Sequence, residues 1–539
     1  MQKIPESDRK FCWWRDGVIY QIYTRSFMDT NGDGIGDLKG VISKLDYLAD
    51  LGVTGIWLTP IHPSPNKDFG YDVSDYRAVN PEYGTMEDYQ TLLEEAHARK
   101  LHVIMDMVLN HSSDQHPWFI ESARSKDNPF HDYYIWRDPV NGHAPTNWLS
   151  CFSGPAWEYV PACGQYYYHM FTKEQPDWNW RNPKVHQYLM DNFRFWAEKG
   201  VDGFRLDVFN MYFKDDQFRN DPPFWNRHQY ILQKHIHDCD QPEMKQTVQE
   251  IRKIVDSCPD HYVVGEPLLG NPQKAASYCV NYGLNSAFNF KFARTPWDAS
   301  RFREKITAWD DALKNGNGCW PNYVLNNHDL NRSASRYGLG EYDGRLKCAA
   351  AMTLLLRGTP FLYYGEEIGM RDLPLKKETL IDPVGKAYWP WNKGRDGCRS
   401  PMQWNNMKNA GFTTGTPWLP VNQDYEKRNV NSMIHDPDSL FSFYKKVIAL
   451  RRSSPALQHG DLQMLDPKNE TVLAFARTCP TEGALVCINF SQLPSSVDLS
   501  GLTLSPKWHV RFSSLNGREP EIKNRKLSLK GEEVVVFIN

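Results

Sequence analysis

Four segments of the sequence end an apolar run with charged or amide side chains, at residues 106–111, 203–208, 263–266 and 326–329. In a barrel of parallel strands, the carboxyl ends of all strands open onto one face, where that fold builds its active sites. Three carboxylates would meet there beside an arginine and two histidines: Asp207, Glu266, Asp329, Arg205, His111 and His328. Such a group could perform acid–base and nucleophilic chemistry on a glycosidic bond.

Eight short runs rich in β-branched and aromatic residues have the composition of buried strands. We predict strands at residues 18–27, 55–60, 103–110, 203–208, 262–266, 286–290, 322–329 and 359–366. Helical patterns lie between several of them, as at residues 86–100 and 188–199. Strands that alternate with crossover helices predict an α/β protein built on a (β/α)8 TIM barrel.

The spacing of the strands predicts three domains, since 539 residues exceed what one core usually holds. We assign residues 1–110 and 180–458 to the barrel, with a long insert at about 370–426 after strand 8. The segment 111–179 is too long for a plain loop and predicts an inserted domain after strand 3. Short alternating strands follow, so residues 459–539 should form a C-terminal all-β sandwich domain.

Composition limits the partners that we expect. The formal net charge is −3, with 41% hydrophobic and 24% charged residues, which is typical of globular proteins and favours neither nucleic acid nor an anionic membrane. The first ten residues are polar and unlike a signal peptide, and apolar runs such as 349–356 are far shorter than the ~20 residues that span a bilayer. We expect a cytoplasmic protein, with monomer and dimer both open.

The eleven cysteines are an odd number and form no CxxC pair. In a reducing cytoplasm they should be free thiols. The sequence leaves open whether Cys151 and Cys163, which share a loop-rich stretch, would pair in a secreted protein.

Several motifs together resemble glycoside hydrolase family 13, the α-amylase superfamily, and in particular its oligo-1,6-glucosidase/α-glucosidase branch. They lie, in the order that the family shows, at residues 29–37, 68–76, 106–111, 175–180, 203–208, 265–266, 327–329 and 399–404. Three residues depart from the branch pattern: Trp178, Ser400 and Pro267. Pro267 removes a backbone donor beside Glu266.

The resemblance implies roles for the three carboxylates. Asp207 matches the nucleophile, which would form a glycosyl ester, and Arg205 would keep it ionised and oriented. Glu266 matches the acid/base and must hold a proton to donate it to the leaving oxygen. Asp329 matches the residue that stabilises the transition state, with His328 beside it.

The resemblance also implies a sugar-binding pocket. His111 would bind the primary hydroxyl of a glucose, Tyr71 would stack on the sugar face, and Asp106 would order the site from below. Asp68 and Arg399 would pair and bind the far hydroxyls of a terminal glucose, which closes the pocket. The same resemblance gives three further wall residues: Phe152, Phe171 and Gln175.

Residues 29–37 alternate oxygen ligands with glycines and resemble a calcium loop of the EF-hand kind. The twelfth position is Gly40, so the bidentate glutamate is missing. We expect a structural Ca²⁺, or Mg²⁺ as second choice, and no organic cofactor; an empty turn is the alternative. The ligands would be four side chains and one carbonyl: Asp29, Asn31, Asp33, Asp37 and the oxygen of Ile35.

The resemblance implies a retaining exo-acting α-glucosidase that releases α-glucose from the non-reducing end of short α-glucosides of the maltose or isomaltose type, with transglycosylation as a side activity. Val208, after the nucleophile, favours α-1,6 over α-1,4 linkages. An isomerase that rearranges sucrose or maltose is the alternative, but the Arg-Leu-Asp-Arg-Asp run of sucrose isomerases is missing. A non-catalytic transporter heavy chain would need a transmembrane helix.

Overall fold

The computed structural model describes residues 10–539 except 224–229, 259, 269–270, 315, 317–318 and 503–507. The strands of this part of the chain form four sheets. In chain order they are β1 Ile19–Ile22, β2 Gly55–Leu58, β3 His102–Met107, β4 Trp136–Arg137, β5 Trp157–Val160, β6 Gln165–Tyr168, β7 Gly203–Leu206, β8 Tyr262–Gly265, β9 Ser286–Ala287, β10 Asn322–Val324, β11 Thr359–Tyr363, β12 Asp461–Met464, β13 Val472–Thr478, β14 Gly483–Asn489, β15 Ser495–Asp498, β16 His509–Ser513, β17 Ile522–Lys523, β18 Lys526–Leu529 and β19 Val534–Ile538.

The largest sheet has eight strands in the order β10–β11–β1–β2–β3–β7–β8–β9, and all neighbouring strands are parallel. This confirms the predicted (β/α)8 barrel, and each predicted strand overlaps an observed one. The predicted carboxyl ends are too long: the runs 18–27 and 322–329 end as strands at Ile22 and Val324. Beyond those points the chain turns and presents polar side chains to the face of the barrel.

Side chains alternate between two cores along the barrel strands, as the pleat requires. In β3, Ile104 packs in the barrel interior with Trp57 and Phe361, whereas Val103 and Met105 belong to the outer core beneath the helices. Because both faces of a parallel sheet are buried in this fold, the sequence of each strand is a nearly continuous apolar run.

The barrel closes between β9 and β10 with little backbone pairing. In the described part of the chain, this seam has one backbone hydrogen bond, from Trp320 N to Asn285 O at 2.9 Å. A side-chain bond from Asn322 Nδ2 to Ser286 Oγ at 2.8 Å supports it. The other neighbouring strands of the barrel share regular ladders.

Helices connect the strands and cover the barrel. In chain order they are α1 Trp13–Asp16, α2 Leu38–Ile42, α3 Leu45–Leu51, α4 Met86–Ala98, α5 Pro117–Ser122, α6 Pro183–Glu198, α7 Met244–Val255, α8 Pro272–Val280, α9 Phe290–Ala293, α10 Ala299–Leu313, α11 Ser333–Tyr337, α12 Gly344–Leu355, α13 Pro383–Tyr388, α14 Val430–Ile434, α15 Leu440–Ser453 and α16 Pro455–His459. Local sequence fixes several starts: α6 begins with Pro183 after Asn182, whose side chain accepts from Lys184 N.

The segment after β3 carries a small antiparallel sheet in the order β4–β6–β5. Its aromatic core, which includes Trp148, Trp157 and Tyr168, packs against Val208 beside the barrel face. The segment returns to the barrel where His111 pairs with Asp177. It therefore stands as a wall next to the strand that carries Asp207.

The C-terminal region packs two antiparallel sheets, ordered β12–β13–β14–β19–β16 and β15–β18–β17. One apolar cluster, including Leu485, Val535 and Leu527, lies between them. Trp297 of the barrel stacks on Phe490 at 4.2 Å between ring centroids and joins this region to the barrel. No helix in the described ranges is long and apolar enough to cross a membrane.

Candidate active site

A pocket of about 410 Å³ opens at the carboxyl ends of the barrel strands. Nine of the predicted site residues line it: Asp68, Tyr71, His111, Phe152, Phe171, Asp207, Glu266, His328 and Asp329. Arg205, Gln175 and Arg399 are fully buried behind its wall. A wider depression of about 930 Å³ lies outside the barrel between α6 and α7, and none of the predicted site residues line it.

Arg205 lies at the centre of the catalytic group. Its Nη1 is 2.6 Å from Asp106 Oδ1 and 2.6 Å from Asp207 Oδ1, and its Nη2 contacts Glu266 Oε2. A guanidinium is a planar fork of fixed geometry, so one buried arginine fixes both Asp207 and Glu266 relative to each other. The sequence predicts the contact with Asp207, and the bridge to Glu266 is new.

Asp207 follows β7 directly, and its N–H donates to Met107 O at 3.1 Å. Val208, the next residue, has a φ of +32°, a left-handed conformation that is rare for a β-branched side chain. This turn ends the strand where the nucleophile candidate reaches the pocket. Burial raises the pKa of Asp207 to about 7, against the opposing charge of Arg205 and with the added negative charge of Asp106.

Asp329 is the most open of the three predicted catalytic carboxylates, with 35% of its side chain exposed. Its Oδ1 accepts from Arg399 Nη2 at 2.9 Å and from Arg395 Nη1 at 3.3 Å. Burial acts to raise the pKa of Asp329, but the charges of the neighbouring Arg395 and Arg399 outweigh it and hold the pKa below its ordinary value. Asp329 therefore stays anionic at pH values where Asp207 takes up a proton.

The predicted pair of Asp68 and Arg399 is wrong. Asp68 Oδ1 lies 2.5 Å from Nη2 of Arg395, and Asp382 Oδ1 lies 2.7 Å from the same nitrogen. Arg395 thus takes the place predicted for Arg399. The short 3₁₀ helix Asp396–Arg399 accounts for this, because Arg395 precedes the helix and Arg399 ends it, about one turn later. Arg395 lines the pocket, whereas Arg399 is buried beneath it and donates through Nε to the carbonyl of residue 328 at 2.8 Å.

Arg395 is the functional residue that sequence reasoning missed. It contacts Asp68, Asp382 and Asp329, and its guanidinium lies 5.0 Å from the ring centroid of Phe152. Burial acts to lower its pKa, but those three carboxylates raise the pKa well above its ordinary value. Its nearness to Arg399 is the only signal in the sequence, and that spacing does not say which arginine reaches Asp68.

Tyr71 and His328 form one buried unit. Their rings stack 5.2 Å apart with an interplanar angle of 5°, and the Tyr71 hydroxyl lies 2.7 Å from His328 Nε2. The same hydroxyl donates to Asp106 at 3.0 Å. Burial lowers the pKa of His328 well below its ordinary value, so the ring is neutral. One face of Tyr71 is thus covered by His328, and stacking of a sugar on the other face stays a prediction.

His111 and Gln175 support the wall next to Tyr71. The Gln175 amide nitrogen lies 3.1 Å from His111 Nε2 and donates to Asp68 Oδ2 at 3.3 Å. Burial lowers the pKa of His111 to about 4, which keeps the ring neutral. Phe171 packs edge-on against His111 at 5.0 Å. His111 reaches the pocket, whereas Gln175 acts from behind it.

The outer part of the pocket is made by residues that the sequence analysis did not single out. They come from the segments after β3, β7, β8, β9 and β11: Cys151, Val208, Tyr230, Ile231, Leu268, Arg294, Val384, Tyr388, Trp391, Asn392 and Arg395. Only Val208 among them was assigned an influence, on linkage. Val384 and Tyr388 belong to α13, and the others lie outside the strands and helices numbered above.

The predicted calcium loop is ordered by its own hydrogen bonds. Asp29 accepts from Asn31 N, Gly32 N and Gly34 N at 2.8–2.9 Å, and Asp37 caps α2. Among the described residues, one group of three His, Cys, Asp or Glu has ligand atoms within 4.8 Å of one another, and it lies elsewhere. A cation here would have to share Asp29 with those N–H groups, so the fit is incomplete.

All eleven cysteines are free thiols, and Cys151 and Cys163 do not pair. The Cys163 thiol lies 3.3 Å from Ala123 O, and Cys151 lines the pocket.

Comparison with known proteins identifies the family. The profile of the alpha-amylase catalytic domain matches residues 21–460, which is most of the chain. The chain belongs to the alpha-amylase family. This confirms the resemblance on which the expected site residues were based.

Relatives within the family narrow the comparison. The chain is 42% identical to an oligo-1,6-glucosidase of Parageobacillus thermoglucosidasius over 516 residues, which cover 89% of this chain and 91% of that protein. It resembles the solved alpha-glucosyl transfer enzyme XgtA with a TM-score of 0.92 and 37% identity, covering 98% and 100% of the two chains. The isomaltulose synthase from Erwinia rhapontici NX5 matches with a TM-score of 0.89 and 38% identity, covering 99% and 100%.

Proposed function

We propose that this protein is a retaining, exo-acting α-glucosidase that removes α-glucose from the non-reducing end of short α-glucosides. One observation carries the proposal: the catalytic carboxylates share a pocket with the ion pair of Asp68 and Arg395, and the buried Asp382 holds Arg395. A cluster of this kind can bind the hydroxyls that only a terminal sugar leaves free.

The proposed covalent step uses Asp207 as the nucleophile and Glu266 as the acid and base. A carboxylate oxygen of Asp207 attacks the anomeric carbon, and the bond from that carbon to the leaving oxygen breaks. Glu266 gives its proton to the leaving oxygen. In the second step Glu266 takes a proton from water, whose oxygen attacks the anomeric carbon and releases Asp207. Two inversions give α-glucose.

The charged side chains around the expected position of the anomeric carbon suit these two reaction steps. Asp329 is held anionic by two arginines and can stabilise positive charge as the ring flattens. Arg205 pairs with Asp207 and contacts Glu266, so it lies between the nucleophile and the acid. The retaining separation of about 5–5.5 Å between the two carboxyl groups stays a prediction.

The outer pocket is suited to the leaving sugar. Trp391 lies at the mouth with 89% of its surface exposed, next to Val384 and Tyr388. Aromatic and aliphatic surfaces can bind the apolar faces of a sugar ring. We assign this rim to the leaving or accepting sugar.

Transfer and isomerisation are the second candidate function. The likeness to XgtA and to an isomaltulose synthase favours a site in which a sugar competes with water for the glucosyl ester. The chemistry up to the ester is shared, so the outcome depends on what occupies the rim in the second step.

A panel of maltose, isomaltose, sucrose and trehalose, followed by NMR of the first product, tests the proposal. α-Glucose released first, with little action on long starch chains, is the expected result. Early β-glucose would overturn the retaining mechanism, and oligosaccharides cut from the middle of starch would overturn exo action. Isomaltulose or trehalulose from sucrose would move the assignment to the second candidate.

The free state of all eleven cysteines supports a cytoplasmic location, which we propose together with a structural Ca²⁺ in the loop at residues 29–37. The proposed partners are small α-glucosides.

A further inference from the structure

A second group of chemically active side chains lies in the loop after β7, beside the pocket but outside the catalytic group. One ligand atom each from Asp221, His235 and Asp238 lies within 4.8 Å of the others. Their side chains are 0%, 3% and 0% exposed, respectively. Nothing in the glycosidase mechanism uses them.

Two of these side chains, Asp221 and His235, are held from behind. Asp221 Oδ1 accepts from the backbone N–H groups of Ile236 and His237, both at 2.9 Å. His235 Nε2 lies 2.8 Å from the carbonyl oxygen of Tyr230. A carbonyl only accepts, so Nε2 carries a hydrogen and Nδ1 is left facing the two carboxylates.

The inward carboxylate oxygens have one hydrogen donor among the three side chains, His235 Nδ1, which faces Asp238. His235 Nδ1 lies 2.7 Å from Asp238 Oδ2 and 3.9 Å from Asp221 Oδ2. Asp221 Oδ2 and Asp238 Oδ1 are buried, and neither has a hydrogen-bond partner among the described residues. Unpaired buried carboxylate oxygens are costly, so this arrangement calls for a cation between them.

Two basic side chains in the described part of this loop are engaged elsewhere. Arg219 pairs with Asp215 at 2.6 Å, and Lys214 pairs with Asp177 at 2.5 Å. Neither can neutralise the two carboxylates of the cluster. A proton on His235 would supply one positive charge, which leaves one carboxylate uncompensated.

We propose that Asp221, His235 and Asp238 bind a divalent transition-metal ion of the zinc type. One imidazole and two carboxylates are the donor set of such ions, with water completing the coordination. A backbone carbonyl behind the imidazole and N–H groups behind a carboxylate are the outer contacts that orient metal ligands. Calcium is disfavoured because it prefers oxygen donors alone.

The position of this site links it to substrate binding. Tyr230, whose carbonyl holds His235, lies with its ring centroid 3.9 Å from that of His235, at an interplanar angle of 32°. Tyr230 also lines the pocket next to Ile231. A metal ion would therefore tie down the chain segment that forms this part of the rim.

Zinc binding to the full-length chain tests the proposal. The protein is made without a histidine tag, stripped with a chelator and titrated with Zn²⁺ by calorimetry in the presence of excess Ca²⁺, which occupies the 29–37 loop. We expect one Zn²⁺ per chain at this site and a Kd weakened by roughly 100-fold or more in His235→Gln and in Asp221→Asn. X-ray absorption of the zinc-loaded wild type should show nitrogen and oxygen ligands without sulfur.

His237→Gln is the matched control, because His237 lies in the same loop and outside the cluster. It should keep the wild-type Kd. If the wild type binds no Zn²⁺, if the two cluster variants bind as tightly as the wild type, or if absorption shows sulfur ligands, the proposal is overturned. The absorption measurement uses only the wild type and decides the matter even where a variant fails to fold. Catalytic activity is not the readout, so the result is independent of the proposed function.

Discussion

Two regions contribute side chains to the pocket: the carboxyl ends of the barrel strands and the insert at residues 370–426. Different interactions hold these side chains in place. Asp207 directly follows β7, and Glu266 directly follows β8. The backbone N–H of each donates to a carbonyl of the neighbouring strand, β3 or β7, and this hydrogen bond fixes the backbone position of the residue. Arg395 and Arg399 lie in an insert whose course depends on side-chain bonds to Asp382 and Asp329. The backbone hydrogen bonds between the barrel strands position the catalytic carboxylates. The insert determines the shape of the substrate that reaches them.

The largest expected effect belongs to the strand ends. Asp207→Ala removes the nucleophile and should reduce kcat by at least roughly 10⁴-fold while substrate still binds. Binding of isomaltose by calorimetry provides the control. Added azide should attack from the vacated face and convert an activated aryl α-glucoside into β-glucosyl azide. An α-azide product, or activity near that of the wild type, would contradict this role of Asp207.

Glu266→Gln should separate substrates by their leaving groups. Sugars leave poorly without a proton, so activity on isomaltose should fall by about 10²- to 10⁴-fold, whereas glycosylation by activated aryl glucosides should change little. Pre-steady-state bursts measure glycosylation directly. Equal losses on both substrate types would assign the acid to another residue.

Arg395→Ala and Arg399→Ala test the insert and compare its two arginines. Arg395 contacts Asp68 in the pocket, so its loss should lower kcat/KM on disaccharides by about 10- to 100-fold through charged hydrogen bonds. Because Arg395 closes the pocket, the same variant should gain activity on longer chains relative to disaccharides. Arg399→Ala, behind the wall, should lower kcat without that shift in chain length. A shift toward longer chains in Arg399→Ala but not in Arg395→Ala would indicate that Arg399, and not Arg395, acts with Asp68.

The pH dependence of kcat/KM tests the strand ends through the pKa of Asp207. The nucleophile must be a carboxylate, and its pKa is raised to about 7, so the rate should fall tenfold per unit as pH drops below about 7. Asp106→Asn removes a negative neighbour and frees Arg205 to pair with Asp207 alone. Both changes lower the pKa of Asp207, and the acid limb should move to lower pH. An unchanged limb would mean that another group controls it.

The smallest effect is expected from removal of calcium, measured by the melting temperature. The loop at residues 29–37 holds the insert, since Thr413 Oγ1 donates to Asp29 Oδ2 at 2.5 Å and Trp418 N donates to Gly34 O at 3.0 Å. Chelation with EGTA should lower the melting temperature by a few degrees and leave the anomer of the product unchanged. Asp33→Asn should abolish the response to EGTA. A wild type that melts equally with and without Ca²⁺ would indicate an empty turn.

The sequence predicts the barrel well because local rules determine it. Apolar runs and polar strand ends are properties of a few adjacent residues, so all eight barrel strands and the positions of Asp207 and Glu266 could be read directly. The choice between Arg395 and Arg399 could not, because it depends on one turn of 3₁₀ helix and on Asp382, which is distant from Asp68 in the chain.

The metal-binding cluster escaped the sequence analysis for a related reason. Asp221, His235 and Asp238 have no recognisable ligand spacing, and they meet only because the loop after β7 doubles back on itself. Such a fold depends on backbone donors such as Ile236 N, which any residue but proline could supply. Side-chain identity alone therefore carries no signal for this site.

The seam between β9 and β10 has a consequence for how the enzyme would lose activity on heating. With one backbone bond in the described part of that seam, local opening should begin there and should cost less than global unfolding. The chain that leaves β10 carries His328 and Asp329. A breathing motion along this line would withdraw Asp329 from the ester-forming carboxylate while β1, β2 and β3 stay paired. Heat inactivation would then precede melting, and the enzyme would recover on cooling as the gap closes.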